Sequence, residues 1–189
     1  MDAFLLSFGV IFVAELGDKS QLMAMTFATR YKFWTVIGAI TAATAVVHLF
    51  SVALGNVIGL ALPVGPINIL AGLAFVFFGL WTLRGDKLSE DEEAKASRTN
   101  RSAFFAVAIA FFLAELGDKT MLATVTLATT EGWFGTWIGS TLGMVAADAL
   151  AIGVGVMLGK ALPGKVIKIG ASILFFVFGA LLIYAGVTA

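Results

Sequence analysis

Long apolar runs separated by short connections make up most of the chain. Each run approaches or exceeds the roughly 20 residues that a helix needs to cross the hydrocarbon core of a bilayer. The connections contain Pro63 and Pro163, which interrupt regular helix. This pattern predicts an all-α polytopic membrane protein with six transmembrane helices. The predicted spans are residues 3–28, 34–60, 66–84, 102–128, 134–159 and 166–187.

The composition supports this class of protein. Of the 189 residues, 60% are hydrophobic and 13% are charged, whereas a soluble domain is about half apolar and about a quarter charged. The chain has no cysteine and one histidine, which excludes a disulfide framework and argues against a zinc site of the usual kind. The formal net charge is zero, and we expect a lipid bilayer around the protein and no nucleic-acid partner.

The two halves of the chain repeat each other at a fixed shift of 100 residues, and residues 14–19 match residues 114–119 at every position. We predict two three-helix repeats, 1–84 and 102–189, joined by a linker at 85–101 that has the composition of a solvated segment. Because three is an odd number, the two repeats must enter the membrane in opposite directions. The sequence therefore predicts an inverted-topology repeat, which many secondary transporters have.

The basic residues indicate the orientation of the protein in the membrane. Ten of the twelve Lys and Arg residues fall in one set of connections, and the other two are Lys19 and Lys119. By the positive-inside rule, linker 85–101 is cytoplasmic and both termini are extracytoplasmic. We expect the protein in the cell (inner) membrane. The ten residues are Arg30, Lys32, Arg84, Lys87, Lys95, Arg98, Arg101, Lys160, Lys165 and Lys168.

One charged hexapeptide lies in the middle of the first apolar run of each half. An ionised side chain at the centre of a bilayer costs about 3 kcal/mol on insertion scales. Such residues indicate a functional site, and the alternative is a salt-bridge cluster that only holds helices together. The two copies read Glu15-Leu16-Gly17-Asp18-Lys19-Ser20 and Glu115-Leu116-Gly117-Asp118-Lys119-Thr120.

Each motif places two carboxylates on one helix face, because its Glu and Asp are three residues apart. Gly17 and Gly117 permit close backbone approach, or a local break that frees carbonyl oxygens. Inverted symmetry would bring both motifs together near the midplane. The predicted site then has four carboxylates and two hydroxyls, an oxygen set that suits calcium, manganese or magnesium. Its residues are Glu15, Asp18, Glu115, Asp118, Ser20 and Thr120.

The charges of this predicted site provide a basis for ion exchange. Four carboxylates and two lysines leave a net charge of −2, which one divalent cation neutralises. Without the cation, the carboxylates would take up protons in a medium of low dielectric constant, so metal and protons would compete for the same groups. Lys19 and Lys119 either pair with the aspartates when the metal leaves or anchor the protein at the membrane interface.

Two further positions near midmembrane differ between the halves. His48 and Asp148 lie 100 residues apart, and they could relay protons between the site and water or form interhelical hydrogen bonds. Gln21 corresponds to Met121, and we expect Gln21 to support the site. The thioether of Met121 would favour manganese over calcium if it were a ligand, and simple packing is the alternative.

The paired motifs resemble those of a known family of small cation/proton exchangers. Its defining pattern is Glu-x-Gly-Asp-(Lys/Arg)-(Ser/Thr), once in each three-helix half, and both copies match it at every defining position. The family includes Golgi manganese and calcium transporters of animals and yeast, and manganese exporters of bacteria. The resemblance implies that Mn²⁺, or Ca²⁺, leaves the cytoplasm in exchange for protons, as a transported substrate and not as a resident cofactor. It also implies that Glu15, Asp18, Glu115 and Asp118 are the metal ligands.

Two other functions compete with this prediction. A passive divalent-cation channel is the main alternative, although conduction requires weak, multiple sites. An intramembrane aspartyl protease would have Gly two positions before Gly17 and Gly117, where this chain has Glu, and would not need a Lys after each Asp. We therefore predict a secondary transporter and not an enzyme.

Overall fold

The computed structural model describes residues 2–61, 63–84, 103–158 and 164–188, and the predicted linker 85–101 lies outside them. Within these ranges the chain is helical and contains no β-strand. The all-α class predicted from the apolar runs is therefore confirmed.

Eight helices occur in the described ranges, four in each half. Every helix of the first half begins 100 residues before its counterpart in the second. The first half contains α1 (Ala3–Glu15), α2 (Lys19–Ala28), α3 (Phe33–Ala61) and α4 (Val64–Arg84), and the second contains α5 (Ala103–Glu115), α6 (Lys119–Thr130), α7 (Trp133–Leu158) and α8 (Gly164–Thr188).

The first apolar run of each half is broken in the middle. The regions predicted as single spans at 3–28 and 102–128 each contain two helices in the described chain. The backbone turns at Gly17 (φ +74°) and Gly117 (φ +77°), in the left-handed region that residues with a Cβ atom avoid. Of the two roles that the sequence leaves open for these glycines, the structure shows the local break.

Three helical segments in the described chain are long and apolar enough to cross a membrane: Phe33–Ala61, Gly65–Arg84 and Trp133–Gly155. Shorter apolar segments occur in α1, in α5 and at Ser172–Thr188 of α8. The 13 residues of α1 extend for about 20 Å, which is less than the roughly 30 Å of a hydrocarbon core. The break at the motif explains why α1 is too short to count as a span by itself.

The helices pack mainly against helices of the other half. α4 lies along α8, α1 lies along α7, and α3 contacts α5, α6 and α7. Glycine permits the closest approach of α4 and α8, because a Cβ atom at Gly72 would lie 2.6 Å from the carbonyl oxygen of Gly179. Nearby, the rings of Phe75 and Phe175 pack with their centroids 5.8 Å apart. The two halves therefore share one intertwined core.

Contacts between the halves occur in exchanged pairs. Gly55 on α3 lies against Val125 on α6, and Gly155 on α7 lies against Met25 on α2. The two contacts join equivalent positions, because Gly55 corresponds to Gly155 and Met25 corresponds to Val125 at the shift of 100 residues. A pair of contacts exchanged between the halves in this way also occurs at the charged motifs.

Candidate cation-binding site

Each motif spans a helix break, so its acidic side chains lie at helix ends. Glu15 and Glu115 are the last residues of α1 and α5, and Asp18 and Asp118 are the N-cap residues of α2 and α6. All four residues are buried, with at most 4% of their surface exposed. Neither aspartate side chain caps its own helix, so both carboxylates take partners elsewhere.

The aspartates and lysines of the two motifs form crossed ion pairs. Lys119 Nζ lies 2.6 Å from Asp18 Oδ1, and Lys19 Nζ lies 3.4 Å from Asp118 Oδ1. Each motif thus supplies the cation for the other motif's anion, which brings both motifs to one place in the protein interior. In this structure the lysines follow the first of their two predicted alternatives, pairing with the aspartates.

The two ion pairs are unequal. The side chain of Lys119 is 4% exposed, whereas that of Lys19 is 16% exposed and its contact is longer. Water and salt screen a buried pair less than an exposed one, so Lys119–Asp18 is the stronger electrostatic contact. The halves therefore differ at the site although their motifs match.

The two glutamates differ in their hydrogen bonds. Thr120 Oγ1 donates to Glu115 Oε2 at 3.0 Å. Among the residues that the structure describes, neither carboxyl oxygen of Glu15 has a hydrogen-bond partner, and the same holds for the hydroxyl of Ser20. Burial of a carboxylate is costly unless a donor, a proton or a cation stabilises it. Glu15 is therefore well suited to a positively charged ligand.

The two buried glutamates each lie within electrostatic reach of other buried acidic residues. Glu15 interacts with Glu115, Asp18 and Asp148, and Glu115 interacts with Asp118, Asp18 and Asp148. In the described part of the chain, however, no three acidic or histidine side chains are arranged to hold a metal ion. The aspartates instead contact the lysines, which are the internal cations of the site.

A side chain four residues after each glycine caps the helix break. Gln21 Oε1 accepts a hydrogen bond from the Gly17 amide (2.7 Å), and Met121 Sδ accepts one from the Gly117 amide (3.1 Å). Gln21 Nε2 donates in turn to the carbonyl of Ala147 on α7 (2.9 Å). The sequence placed Gln21 at the site but did not reveal the capping, for which the equal spacing from each glycine is the signal.

His48 and Asp148 occupy equivalent positions on α3 and α7 but have different surroundings. Both are buried, at 1% and 0% exposed. Asp148 interacts electrostatically with Glu15, Glu115 and Asp18, whereas no charged neighbour of His48 is resolved in the described chain. Neither oxygen of Asp148 has a hydrogen-bond partner there, so the interhelical hydrogen bond considered for Asp148 is not formed.

Apolar helices with buried, paired charges at two helix breaks are typical of membrane proteins that transport ions. The chain belongs to the GDT1 family, because the family described as "Divalent cation/proton antiporter GDT1" matches residues 3–90 and again residues 103–189. The resemblance inferred from the two motifs is thereby confirmed. GDT1 is a family of antiporters and not of enzymes.

Curated relatives match the chain over most of its length. The "Putative manganese exporter" of Vibrio cholerae is 33% identical, over 92% of this chain and 86% of that protein. GDT1-like protein 4 of Oryza sativa subsp. indica is 31% identical, over 89% of this chain and 69% of its own. Protein PAM71, chloroplastic, of Arabidopsis thaliana is also 31% identical, over 98% of this chain and 57% of that protein. No solved structure matches the chain.

Proposed function

We propose that this protein exports Mn²⁺ from the cytoplasm in exchange for protons, with Ca²⁺ as the second candidate substrate. Support comes from the antiporter family and from the 33% identity with the "Putative manganese exporter" of Vibrio cholerae. The observation that carries the proposal is the crossed contacts of Lys119 with Asp18 and of Lys19 with Asp118, since they bring both motifs to one buried location.

The transported cation takes the place of the two lysine ammonium groups. Its ligands are Glu15, Asp18, Glu115 and Asp118, an oxygen set suited to Mn²⁺ and Ca²⁺. Cation binding requires the lysines to leave the aspartates, because no three acidic side chains of the described chain are arranged around a common point. Four carboxylates and two lysines carry a net charge of −2, so one divalent cation balances these groups.

The helix breaks favour a cation at this location. Glu15 and Glu115 stand at the carboxyl ends of α1 and α5, where the helix dipole concentrates partial negative charge. The last turn of a helix also has carbonyl groups without an intrahelical donor. Transporters with discontinuous helices use such carbonyls to coordinate ions, so both motifs offer oxygen ligands beyond their carboxylates.

The two halves form an inverted repeat in the membrane, with residues 1–84 and 102–189 as its units. The exchanged contacts of the motifs, and those of the glycines on α3 and α7, support an approximate two-fold relation. The separate family matches in each half support the duplication. Three crossings in each unit make the units antiparallel. The distribution of Lys and Arg supports a cytoplasmic segment 85–101 and extracytoplasmic termini.

Proton coupling follows from competition for the same carboxyl groups. A cation that enters from the cytoplasm displaces protons, and protons from the more acidic outer side displace the cation. The cycle then favours export. The hypothesis that His48 and Asp148 relay these protons stays a prediction.

Flux measurements on the purified protein in liposomes test this function. Mn²⁺ is added outside vesicles that have an acidic lumen, and dyes report internal Mn²⁺ and internal pH. We expect Mn²⁺ entry together with proton exit, and neither in Asp18→Asn. Glu131→Gln, which removes a carboxyl group at the end of α6, should behave as the wild type. Mn²⁺ entry without proton movement would identify a passive channel, and parallel runs with Ca²⁺ and Mg²⁺ establish selectivity.

A further inference from the structure

We propose that Asp148 is a fifth acidic residue of the cation site and contacts the transported cation directly, whereas its counterpart His48 does not. This inference rests on the function proposed above. It adds a ligand from α7, a helix outside both motifs, and makes the site asymmetric.

A hydrogen-bonded bridge holds α7 against the first motif. Gln21 accepts a hydrogen bond from the amide of Gly17 at the break and donates one to the carbonyl of Ala147. Asp148 is the next residue after that carbonyl along the chain. The backbone that carries Asp148 is therefore fixed to the helix break where the first motif presents its carboxylates.

The electrostatic neighbours of Asp148 are the acids of the site. Its carboxyl group interacts with those of Asp18, Glu15 and Glu115, although like charges repel. A protein interior places acidic groups together at a cost, and a shared positive ligand removes that cost. Asp148 is thus placed where a cation bound by the motifs would also be close to it.

The carboxyl group of Asp148 is available to a ligand. The residue is 0% exposed, and neither of its oxygens has a hydrogen-bond partner in the described chain. Buried polar groups in proteins are nearly always hydrogen-bonded, so a buried carboxyl group without a donor requires an explanation. A transported cation supplies one, because each carboxyl oxygen can act as its ligand.

A proton relay accounts for these observations less well. A relay residue passes protons between the site and water, so it needs a contact on the water side. The neighbours found for Asp148 are acids of the site, and its surface is inaccessible to water.

His48 is the natural comparison for Asp148, because it occupies the equivalent position on α3. The two helices contact each other one turn before these two residues. There the Thr44 hydroxyl contacts Met144 Sδ at 3.2 Å, and these two residues are also 100 positions apart. One turn further on, Asp148 interacts electrostatically with acids of the motifs, and no charged neighbour of His48 is resolved in the described chain.

Equilibrium binding separates a ligand from a relay, because a relay alters the rate of proton transfer and leaves the affinity unchanged. Mn²⁺ is titrated calorimetrically into the purified full-length protein at a mildly alkaline pH, where protons compete least. Asp148→Asn should weaken Mn²⁺ binding by at least about 10- to 100-fold, the range for loss of a group that only supports a metal ligand. Asp148→Glu should bind better than Asp148→Asn, since it keeps the carboxylate. His48→Asn, the matched control in the other half, should bind as the wild type.

Several results would overturn the inference. One is wild-type Mn²⁺ affinity in Asp148→Asn, whether or not its flux is slowed. Another is an equal loss of affinity in His48→Asn. Size-exclusion profiles and thermal midpoints are recorded for every variant. If Asp148→Asn does not fold, the Mn²⁺ affinity of Asp148→Glu is compared with that of His48→Asn, and equal affinities would overturn the inference.

Glu15→Gln separates this inference from the proposed function. If Glu15→Gln loses Mn²⁺ binding and Asp148→Asn keeps it, the motif site stands and only the role of Asp148 is wrong. If the wild type binds no Mn²⁺, or Glu15→Gln binds it unchanged, the proposed site itself is wrong and the inference fails with it.

Discussion

Lys119 of the second motif reaches Asp18 of the first, with 2.6 Å between Nζ and Oδ1. The return contact from Lys19 to Asp118 is longer, at 3.4 Å, and less buried. A buried charge without a counter-ion is strongly destabilising. Each motif therefore depends on the other for electrostatic balance, and the crossed pairs bring both motifs to one place in the protein interior.

Replacement of Lys119 should destabilise the protein more than replacement of Lys19. Lys119→Gln removes the 2.6 Å counter-ion of buried Asp18, and loss of one partner of a buried ion pair costs about 3–5 kcal/mol. Lys19→Gln should cost less, because its side chain is partly exposed. Thermal unfolding of the purified variants measures both effects, with Lys32→Gln at an exposed position as the control. Equal midpoints for Lys19→Gln and Lys119→Gln would contradict the inequality.

Reversal of the stronger pair should restore stability but not transport. Asp18→Lys combined with Lys119→Asp keeps opposite charges at the same two positions, so the double variant should melt above either single variant. It also moves a carboxylate from the first motif to the second, which should abolish Mn²⁺ flux. A salt bridge that only holds helices together would regain both properties, so recovered flux would disprove the assignment of Asp18 as a ligand.

Apparent Mn²⁺ affinity should fall as the medium becomes more acidic. Protons occupy the carboxylates that bind the cation, so the dissociation constant should rise between about pH 8.5 and about pH 5.5, by up to roughly tenfold per unit for each proton displaced. Calorimetry in buffers with different ionisation enthalpies measures the affinity and counts the protons released. An affinity that stays constant over this range, with no proton release, would rule out exchange through these groups.

Gly117→Ala should destabilise the second helix break by about 1–2 kcal/mol, the cost of a left-handed conformation for a residue with a Cβ atom. Apart from the adjacent residues, no heavy atom of the described chain lies within 4 Å of the added Cβ atom, so the penalty comes from the φ angle of +77°. Gly117→Asn should cost less, since Asn tolerates that region. The control is Gly132→Ala, which has equal space around its Cβ atom and lacks a positive φ. Thermal unfolding should show a loss for Gly117→Ala that exceeds the loss for the control.

The predicted orientation can be tested with single cysteines, because the chain has none of its own. A membrane-impermeant thiol reagent should label Ser97→Cys only from the cytoplasmic side. It should label Asp2→Cys, near the amino terminus, only from outside. Labelling of Ser97→Cys in intact cells would disprove the orientation inferred from the basic residues.

The hydrophobic pattern predicts the long helices well but misses the breaks. The pattern predicts a span at residues 34–60, and α3 runs from Phe33 to Ala61, because a continuous apolar run ends where polar residues and helix breakers begin. The first run of each half stays apolar on both sides of its motif, so hydropathy gives no boundary there. The glycines make a break possible, and the left-handed backbone together with the capping side chain shows that the break occurs.

The candidate site could be predicted in part. The repeat at 100 residues leads to the expectation that both motifs meet, and the crossed ion pairs agree with it. The identity of each partner depends on tertiary packing, because the sequence is equally consistent with Lys19 beside its own Asp18. The difference between His48 and Asp148 depends on how α3 and α7 pack around the motifs, which the equal spacing of the two residues cannot reveal.

The crossing of the two ion pairs has an evolutionary consequence. A polypeptide that contained only the first half would bury Asp18 without Lys119 and would have no place for the ammonium group of Lys19. Such an ancestor would have gained the crossed ion pairs only beside a second copy of itself. Fusion of two such copies would then have joined partners that first met as separate chains, and the unequal pairs show that the two copies have since diverged.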